Sequence, residues 1–207
     1  WAEGPLWLES QQALIFTDVP TNTIWKWTEK DSLSVYLSPS GYLGDRTDKR
    51  EPGANGLALD GAGNLILCQH GERQVGKMLA SLDAPKPEFE ALATGYNGKR
   101  FNSPNDLVFN SRGQLFFTDP PYGMDPWDEK HLEFQGVYRL DPDGKVNLLV
   151  DTLSRPNGIA LSPDQKTLYI AQSDAEKARY YAFDLDENGQ VISGKVLFDA
   201  TALQSES

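Results

Sequence analysis

The sequence predicts an all-β protein, a β-propeller built from four-stranded blades, and three observations lead there. First, four segments share one plan: a polar residue followed by Gly or Asp, an apolar alternation, a tight turn and a second apolar run. They are EGPLWLESQQALIFTD from Glu3, NGLALDGAGNLILCQ from Asn55, NDLVFNSRGQLFFTD from Asn105 and NGIALSPDQKTLYIAQ from Asn157, spaced by 52, 50 and 52 residues. Second, each segment is followed by two more runs rich in β-branched and aromatic residues, the composition that packs on a pleated surface. Third, no apolar period of 3.6 residues persists for three turns. Four strands recurring every 50 or so residues is the pattern of a propeller blade.

The elements follow in order. The blades are expected at roughly 1–50, 51–100, 101–154 and 155–207, within a single domain spanning 1–207. The shared segments supply the first and second strands of each blade. Third strands are read at 23–27 (TIWKW), 74–79 (QVGKML), 136–140 (GVYRL) and 178–185 (ARYYAFDL). Fourth strands are read at 32–38 (SLSVYLS), 88–94 (EFEALAT), 146–153 (VNLLVDTL) and 195–200 (KVLFDA). Turn chemistry separates them, as in Asp141-Pro142-Asp143-Gly144 and Asp186-Glu187-Asn188-Gly189, where Gly and Asn accept positive φ at little cost. Three longer irregular stretches remain, at 38–52, 96–104 and 120–134, and loops of that length in a compact domain often carry function.

Composition narrows the function classes. Nineteen Lys and Arg stand against 30 Asp and Glu, a net charge of −11 over 207 residues. An anionic surface repels phosphates, so a nucleic-acid partner is not expected. Nor is a membrane partner, because no apolar run approaches the ~20 residues that span a bilayer. The single cysteine, Cys68, has no partner for an internal disulfide and reads as a buried structural thiol. The chain starts at Trp1 without a signal-like segment, and the compartment, whether cytoplasmic, periplasmic or secreted, stays open. A monomer is expected, since propeller edges are short and protected.

In a propeller the first strands line the central channel, so equivalent positions in successive blades converge. The residues heading those strands are Glu3, Asn55, Asn105 and Asn157. One carboxylate and three carboxamides offer oxygen alone, with no sulfur or imidazole, which suits a hard cation such as Ca²⁺ rather than Zn²⁺ or Cu²⁺. As the cofactor Ca²⁺ is expected, with other divalent cations such as Zn²⁺, Mg²⁺ or Mn²⁺ as alternatives. A solitary Asn-Gly is ordinarily a turn, and it is the repetition at matched register that argues for a shared site. Asn55 is the weakest ligand candidate of the set.

The motifs EGPLW, SPNDLVF, FTDPPYG, GVYRL and RPNGIALSPDQKTLYIA resemble the superfamily of gluconolactonases, senescence marker protein and luciferin-regenerating enzyme, from residue 2 to about residue 200. The resemblance implies a six-bladed propeller with a divalent cation, usually Ca²⁺, on its axis and hydrolysis of a sugar lactone. Carried over residue by residue, it implies that Glu3 and Asn157 ligate the metal and that Asn105 ligates it or holds substrate. The family also has an axial Asp opening a later blade in a Pro-Asp-Gly-like motif. None follows Asn157; its place by the repeat is just beyond Ser207, so no catalytic base is assigned here, and about two further blades are expected.

Around these, candidate substrate-binding residues are Arg100, whose planar fork suits ring oxygens or a carboxylate, together with Asn55, Asn105, His70 and Tyr122. Tyr122, Trp127 and His131 belong to the irregular stretch 120–134 and are candidates for a lid. Other chemistries are weak: G-x-S-x-G is absent. Cys68 and His70 would stand ~7 Å apart along one strand, too far for a nucleophile and its base. The stretch from Asp184 begins like a Ca²⁺-binding EF-hand loop but has Lys195 at its twelfth position, and reads as a hairpin turn. The expected function is metal-dependent opening of a sugar lactone; an organophosphate or other ester hydrolase on the same site, or a non-catalytic metal-binding scaffold, are the alternatives.

Overall fold

The computed structural model describes residues 1–206; Ser207, the final residue of the expected fourth repeat, lies outside the described residues. Four antiparallel sheets of four strands follow one another along the chain, each a simple up-and-down meander. The first holds β1 (Ala2–Leu8), β2 (Ala13–Asp18), β3 (Thr23–Thr28) and β4 (Ser32–Leu37). The second holds β5 (Ala54–Leu59), β6 (Leu65–Gln69), β7 (Gln74–Met78) and β8 (Phe89–Ala93). A two-stranded ribbon, β9 (Gly95–Tyr96) and β10 (Lys99–Arg100), precedes the third sheet, β11 (Leu107–Phe109), β12 (Leu115–Asp119), β13 (Gly136–Leu140) and β14 (Val146–Val150). The fourth holds β15 (Pro156–Leu161), β16 (Thr167–Gln172), β17 (Arg179–Leu185) and β18 (Val191–Asp199).

Strand positions agree closely with the sequence pattern, and three details differ. Part of the stretch 96–104, expected to be irregular, is the β9–β10 hairpin. Asn97 and Gly98 sit at its tip with φ of 50° and 75°, the positive pair that a two-residue Asn-Gly turn requires. Asn105 does not head β11 but lies two residues before it, because Asn105 and Asp106 spend their backbone groups on Thr118 instead of extending the ladder: Asn105 N–H donates to the Thr118 carbonyl (2.8 Å) and Thr118 N–H to the Asp106 carbonyl (3.1 Å). Strand β18 starts at Val191, four residues earlier than its apolar run, since the Asp186–Gln190 turn closes tightly by Gly189 N–H to the Asp186 carbonyl (3.0 Å). That turn is the EF-hand-like stretch, and it is a hairpin.

Three hydrophobic clusters hold the sheets together, one between each consecutive pair. Side chains alternate along a strand, so β6 sends Leu65 and Leu67 toward the first sheet and Ile66 and Cys68 toward the third. Strand β12 does the same: Leu115 and Phe117 face the second sheet while Phe116 faces the fourth. Both strands are buried along their whole length, which explains why they read as unbroken apolar runs. Between the second and third sheets Phe117 stacks on Tyr138 with centroids 5.3 Å apart and meets Phe101 edge-on at 5.3 Å, favourable arrangements for aromatic quadrupoles. No helix among the described residues is long and apolar enough to cross a membrane.

The repeat extends to its irregularities. Pairing of first and second strands breaks register between Glu3 and Leu6, between Ala54 and Leu57, and between Pro156 and Ile159. Such bulges re-aim side chains, and here they fall at Glu3, Asn55 and Asn157.

Candidate functional site

The ends of the first strands meet closely. Thr17 Oγ donates to the Asn55 carbonyl (3.0 Å), Gly56 N–H to the Asn105 carbonyl (2.7 Å) and Thr118 Oγ to the Asn157 carbonyl (2.7 Å). Each sheet thereby fixes the head residue of the next. The approach leaves no room for a side chain at Gly4, where φ is +50° and a Cβ would run into the Asn55 carbonyl oxygen. Where these ends converge is an open cavity of about 280 Å³ lined by Glu3, Glu51, Asn55, Asn105, Tyr122 and Asn157, with Trp1 at its rim. All four head residues singled out from the repeat, and Tyr122, are thus brought together.

The polarity of this cavity is one-sided. Its lining contains two carboxylates and three amides and no Lys or Arg side chain. Burial pushes the Glu3 carboxyl above its ordinary value, and the neighbouring Asp106 charge pushes it further. Asp106 itself is raised by burial, moderated by the Ile159 and Leu107 N–H groups that donate to it at 3.0 and 2.9 Å. His70 and the Trp1 amino group pull the Glu3 carboxyl back down only in part, and carboxylates gathered at a partly buried place are a setting that a cation relieves. No group of three or more His, Cys, Asp or Glu side chains among the described residues is arranged to hold a metal, so a cation here would depend on amide oxygens beside Glu3.

One such oxygen is conspicuously free. Asn105 is 2% exposed, and its Oδ1 is buried without a hydrogen-bond partner. Its Nδ2 faces His70 Nε2 at 3.3 Å, and His70 Nδ1 faces Glu51 Oε2 at 3.1 Å. A buried amide oxygen with no donor costs about 1–3 kcal/mol unless something fills its lone pairs. Oxygen donors of this kind fit Ca²⁺ or another hard cation. His70 is fully buried behind Asn105 and does not line the cavity.

Two long loops form one wall. Lys49 Nζ contacts Asp125 Oδ2 at 3.0 Å and Asp128 Oδ2 at 3.6 Å, and Arg50 donates its N–H to Asp125 Oδ1 (3.2 Å) and its Nη2 to the Met124 carbonyl (2.9 Å). Arg46 lies 4.3 Å over the Trp127 ring. The clasp carries Glu51 on one loop and Tyr122 on the other to the same rim.

Other candidates are placed elsewhere. Arg100 is not at this cavity: the β9–β10 hairpin turns it outward, where its Nη2 donates to the Glu72 carbonyl (2.8 Å). Its backbone N–H donates to His131 Nδ1 (3.3 Å), so His131 joins it in a separate surface groove with Glu72 and Lys99. Trp127 is half exposed and does not line this cavity. Cys68 is fully buried, and burial pushes its thiol well up, as suits an inert core residue.

Glu51 and Asp106 were not anticipated. Asp106 had a readable signal, since the residue after each head is Gly4, Gly56, Asp106 and Gly158, and a lone Asp in a column of Gly asks for a reason. Glu51 had none, because it sits in an irregular stretch.

A family model described as the SMP-30/Gluconolactonase/LRE-like region matches residues 1–206. A gluconolactonase of Zymomonas mobilis is 40% identical over 202 residues, covering 95% of this chain and 56% of that protein. The structure of a gluconolactonase from Xanthomonas campestris superposes with a TM-score of 0.80 at 33% identity, covering 95% of this chain and 62% of that one. At 16% identity, where only the fold is comparable, a calcium-binding regucalcin from Agrobacterium tumefaciens superposes with a TM-score of 0.69, covering 98% and 60%. The chain thus spans somewhat over half the length of these proteins.

Proposed function

The chain belongs to the SMP-30/gluconolactonase/LRE-like family, and from that premise we propose that it forms part of a metal-dependent hydrolase that opens a sugar lactone at the cavity headed by Glu3, Asn55, Asn105 and Asn157. In this reading the four sheets are successive blades of a β-propeller, six in the family it belongs to, and the cavity lies on the propeller axis. The observation that carries the metal site is the buried, unpartnered Asn105 Oδ1 beside the crowded carboxylate of Glu3. The named activities of the similar gluconolactonases support the substrate class.

Glu3, Asn105 and Asn157 would hold the cation, Ca²⁺ by the hardness of the donor set. A cation held there supplies electrophilic polarisation of the lactone carbonyl. The protein's own contribution is placement. The Thr17, Gly56 and Thr118 hydrogen bonds hold the backbones of Asn55, Asn105 and Asn157 at fixed spacing, so little reorganisation accompanies ligand entry. Asn55 and Asn157 have no side-chain hydrogen-bond partners among the described residues, leaving their amides available to sugar hydroxyls or to the ion. Tyr122 closes one side of the cavity.

The test is gluconolactone ring opening before and after exhaustive chelation. Activity restored by Ca²⁺ supports the reading; activity untouched by chelation overturns the metal dependence. A panel of unrelated esters and organophosphates then separates a dedicated lactonase from a general esterase, and absence of turnover on all of them would leave a scaffold.

A further inference from the structure

Among the described residues, Asn105 has a side-chain hydrogen-bond partner and Asn55 and Asn157 have none, and that partner points to a role for two residues outside the ligand set. We infer that His70, backed by Glu51, is a positioning residue that fixes the Asn105 carboxamide so that oxygen and not nitrogen is presented to the cavity. This rests on the cation site proposed above.

Glu51 faces the His70 ring. Its carboxylate can only accept, so the His70 nitrogen facing it at 3.1 Å, Nδ1, carries the proton. On the other side of the ring, Nε2 faces the Asn105 Nδ2 at 3.3 Å; an amide nitrogen only donates, so Nε2 accepts. Oδ1 is consequently turned to the other side of the amide, where it has no partner. The alternative orientation would set an N–H₂ group against an incoming cation.

The rest of Asn105 is equally constrained. Its N–H donates to the Thr118 carbonyl at 2.8 Å and its carbonyl accepts from Gly56 at 2.7 Å, so the backbone cannot rotate to compensate. His70 is held on the main chain by its N–H to the Gly53 carbonyl (3.2 Å) and by Arg73 N–H to its own carbonyl (3.0 Å). Its ring is backed by Gly123, where any Cβ would collide with the imidazole Cγ. Gly123 is in turn tied down by its N–H to Ser103 Oγ at 2.9 Å. Asn55 and Asn157 lack such a partner, so the arrangement singles out Asn105 and is no general feature of the repeat.

Two measurements test this on the protein as it stands. The chain has two histidines, and ¹⁵N–¹H long-range NMR, with His131→Gln for assignment, reads the tautomer of His70 directly. Protonated Nδ1 with bare Nε2 is expected; a protonated Nε2 overturns the inference. The second is a cycle probed with Ca²⁺ alone by calorimetry. His70→Phe should weaken Ca²⁺ binding at least tenfold. In an Asn105→Asp background, where either oxygen serves, His70→Phe should change it less than twofold. Equal losses in both backgrounds, or none in either, overturn the positioning role. If the unmutated protein binds no Ca²⁺, the cation reading fails, and the tautomer still decides the orientation of Asn105.

Discussion

The clasp between the two long loops gives a sharp quantitative expectation. Lys49 is 5% exposed and Asp125 1% exposed, so the pair counts as buried, and removing one partner of a buried pair typically costs about 3–5 kcal/mol. Asp125→Leu should approach that figure, because Lys49 keeps only the longer contacts, Asp128 at 3.6 Å and the Tyr42 ring at 5.3 Å, and the Arg50 N–H loses its acceptor. Lys49→Met should cost less, about 1.5–3 kcal/mol, the range for a hydrogen bond to a charged group, since the Arg50 N–H and guanidinium still face Asp125 at 3.2 and 3.6 Å. The double variant removes both charges and should fall short of the sum of the single losses by more than 1 kcal/mol, on the scale of couplings between contacting residues. Urea unfolding measures all three, and hydrogen exchange at the Arg50 amide separates local loop release from global destabilisation. Because Glu51 and Tyr122 flank the clasp, Ca²⁺ affinity should fall in parallel with loop release. Additivity within about 0.5 kcal/mol would refute the reasoning, for it would mean that the two side chains do not feel each other.

Glu3→Gln should weaken Ca²⁺ at least tenfold, or about 1.4 kcal/mol, by calorimetry, while leaving the urea midpoint unchanged or raised, since it removes one of the crowded charges. Thr118→Val should cost about 0.5–1.5 kcal/mol in urea unfolding, because it removes the hydrogen bond to the half-buried Asn157 carbonyl; an unchanged midpoint would deny the link between the third and fourth sheets. Asp119 gives a pH dependence. Burial pushes its carboxyl from the ordinary 3.8 up to about 7, against the hydrogen bonds from Asn102 and Ser103. The folded protein therefore holds this proton where the unfolded chain has released it, and stability should decline as pH rises from about 4 to about 7. Asp119→Asn should remove that part of the slope in unfolding midpoints measured from pH 4.5 to 8; an unchanged slope would place the proton elsewhere.

The four sheets were legible in the sequence because their determinants are local and repeated. Alternation sets strand faces, as in Leu65 to Cys68, and Gly or Asn at Gly144 and Gly189 sets the turns. The grouping of Glu3, Asn55, Asn105 and Asn157 was legible for the same reason, since equal register in repeated units implies equal position in space. The β9–β10 hairpin was written in Asn97-Gly98, yet its two-residue strands are too short to show alternation. It was this hairpin that carried Arg100 to another groove, where it meets His131 of the 120–134 loop, although Arg100 is near Asn105 in sequence.

By itself, then, the sequence determined an all-β repeat and the oxygen-bearing residues that head its units, because periodicity needs only neighbours along the chain. Tertiary structure alone decided which residues stand behind them. Glu51 meets His70 across 19 positions, His70 meets Asn105 across 35 and Lys49 meets Asp125 across 76. These contacts arise where irregular loops close over packed sheets, and loop closure obeys no period. The orientation of one amide, on which the character of the cavity turns, is set by that closure.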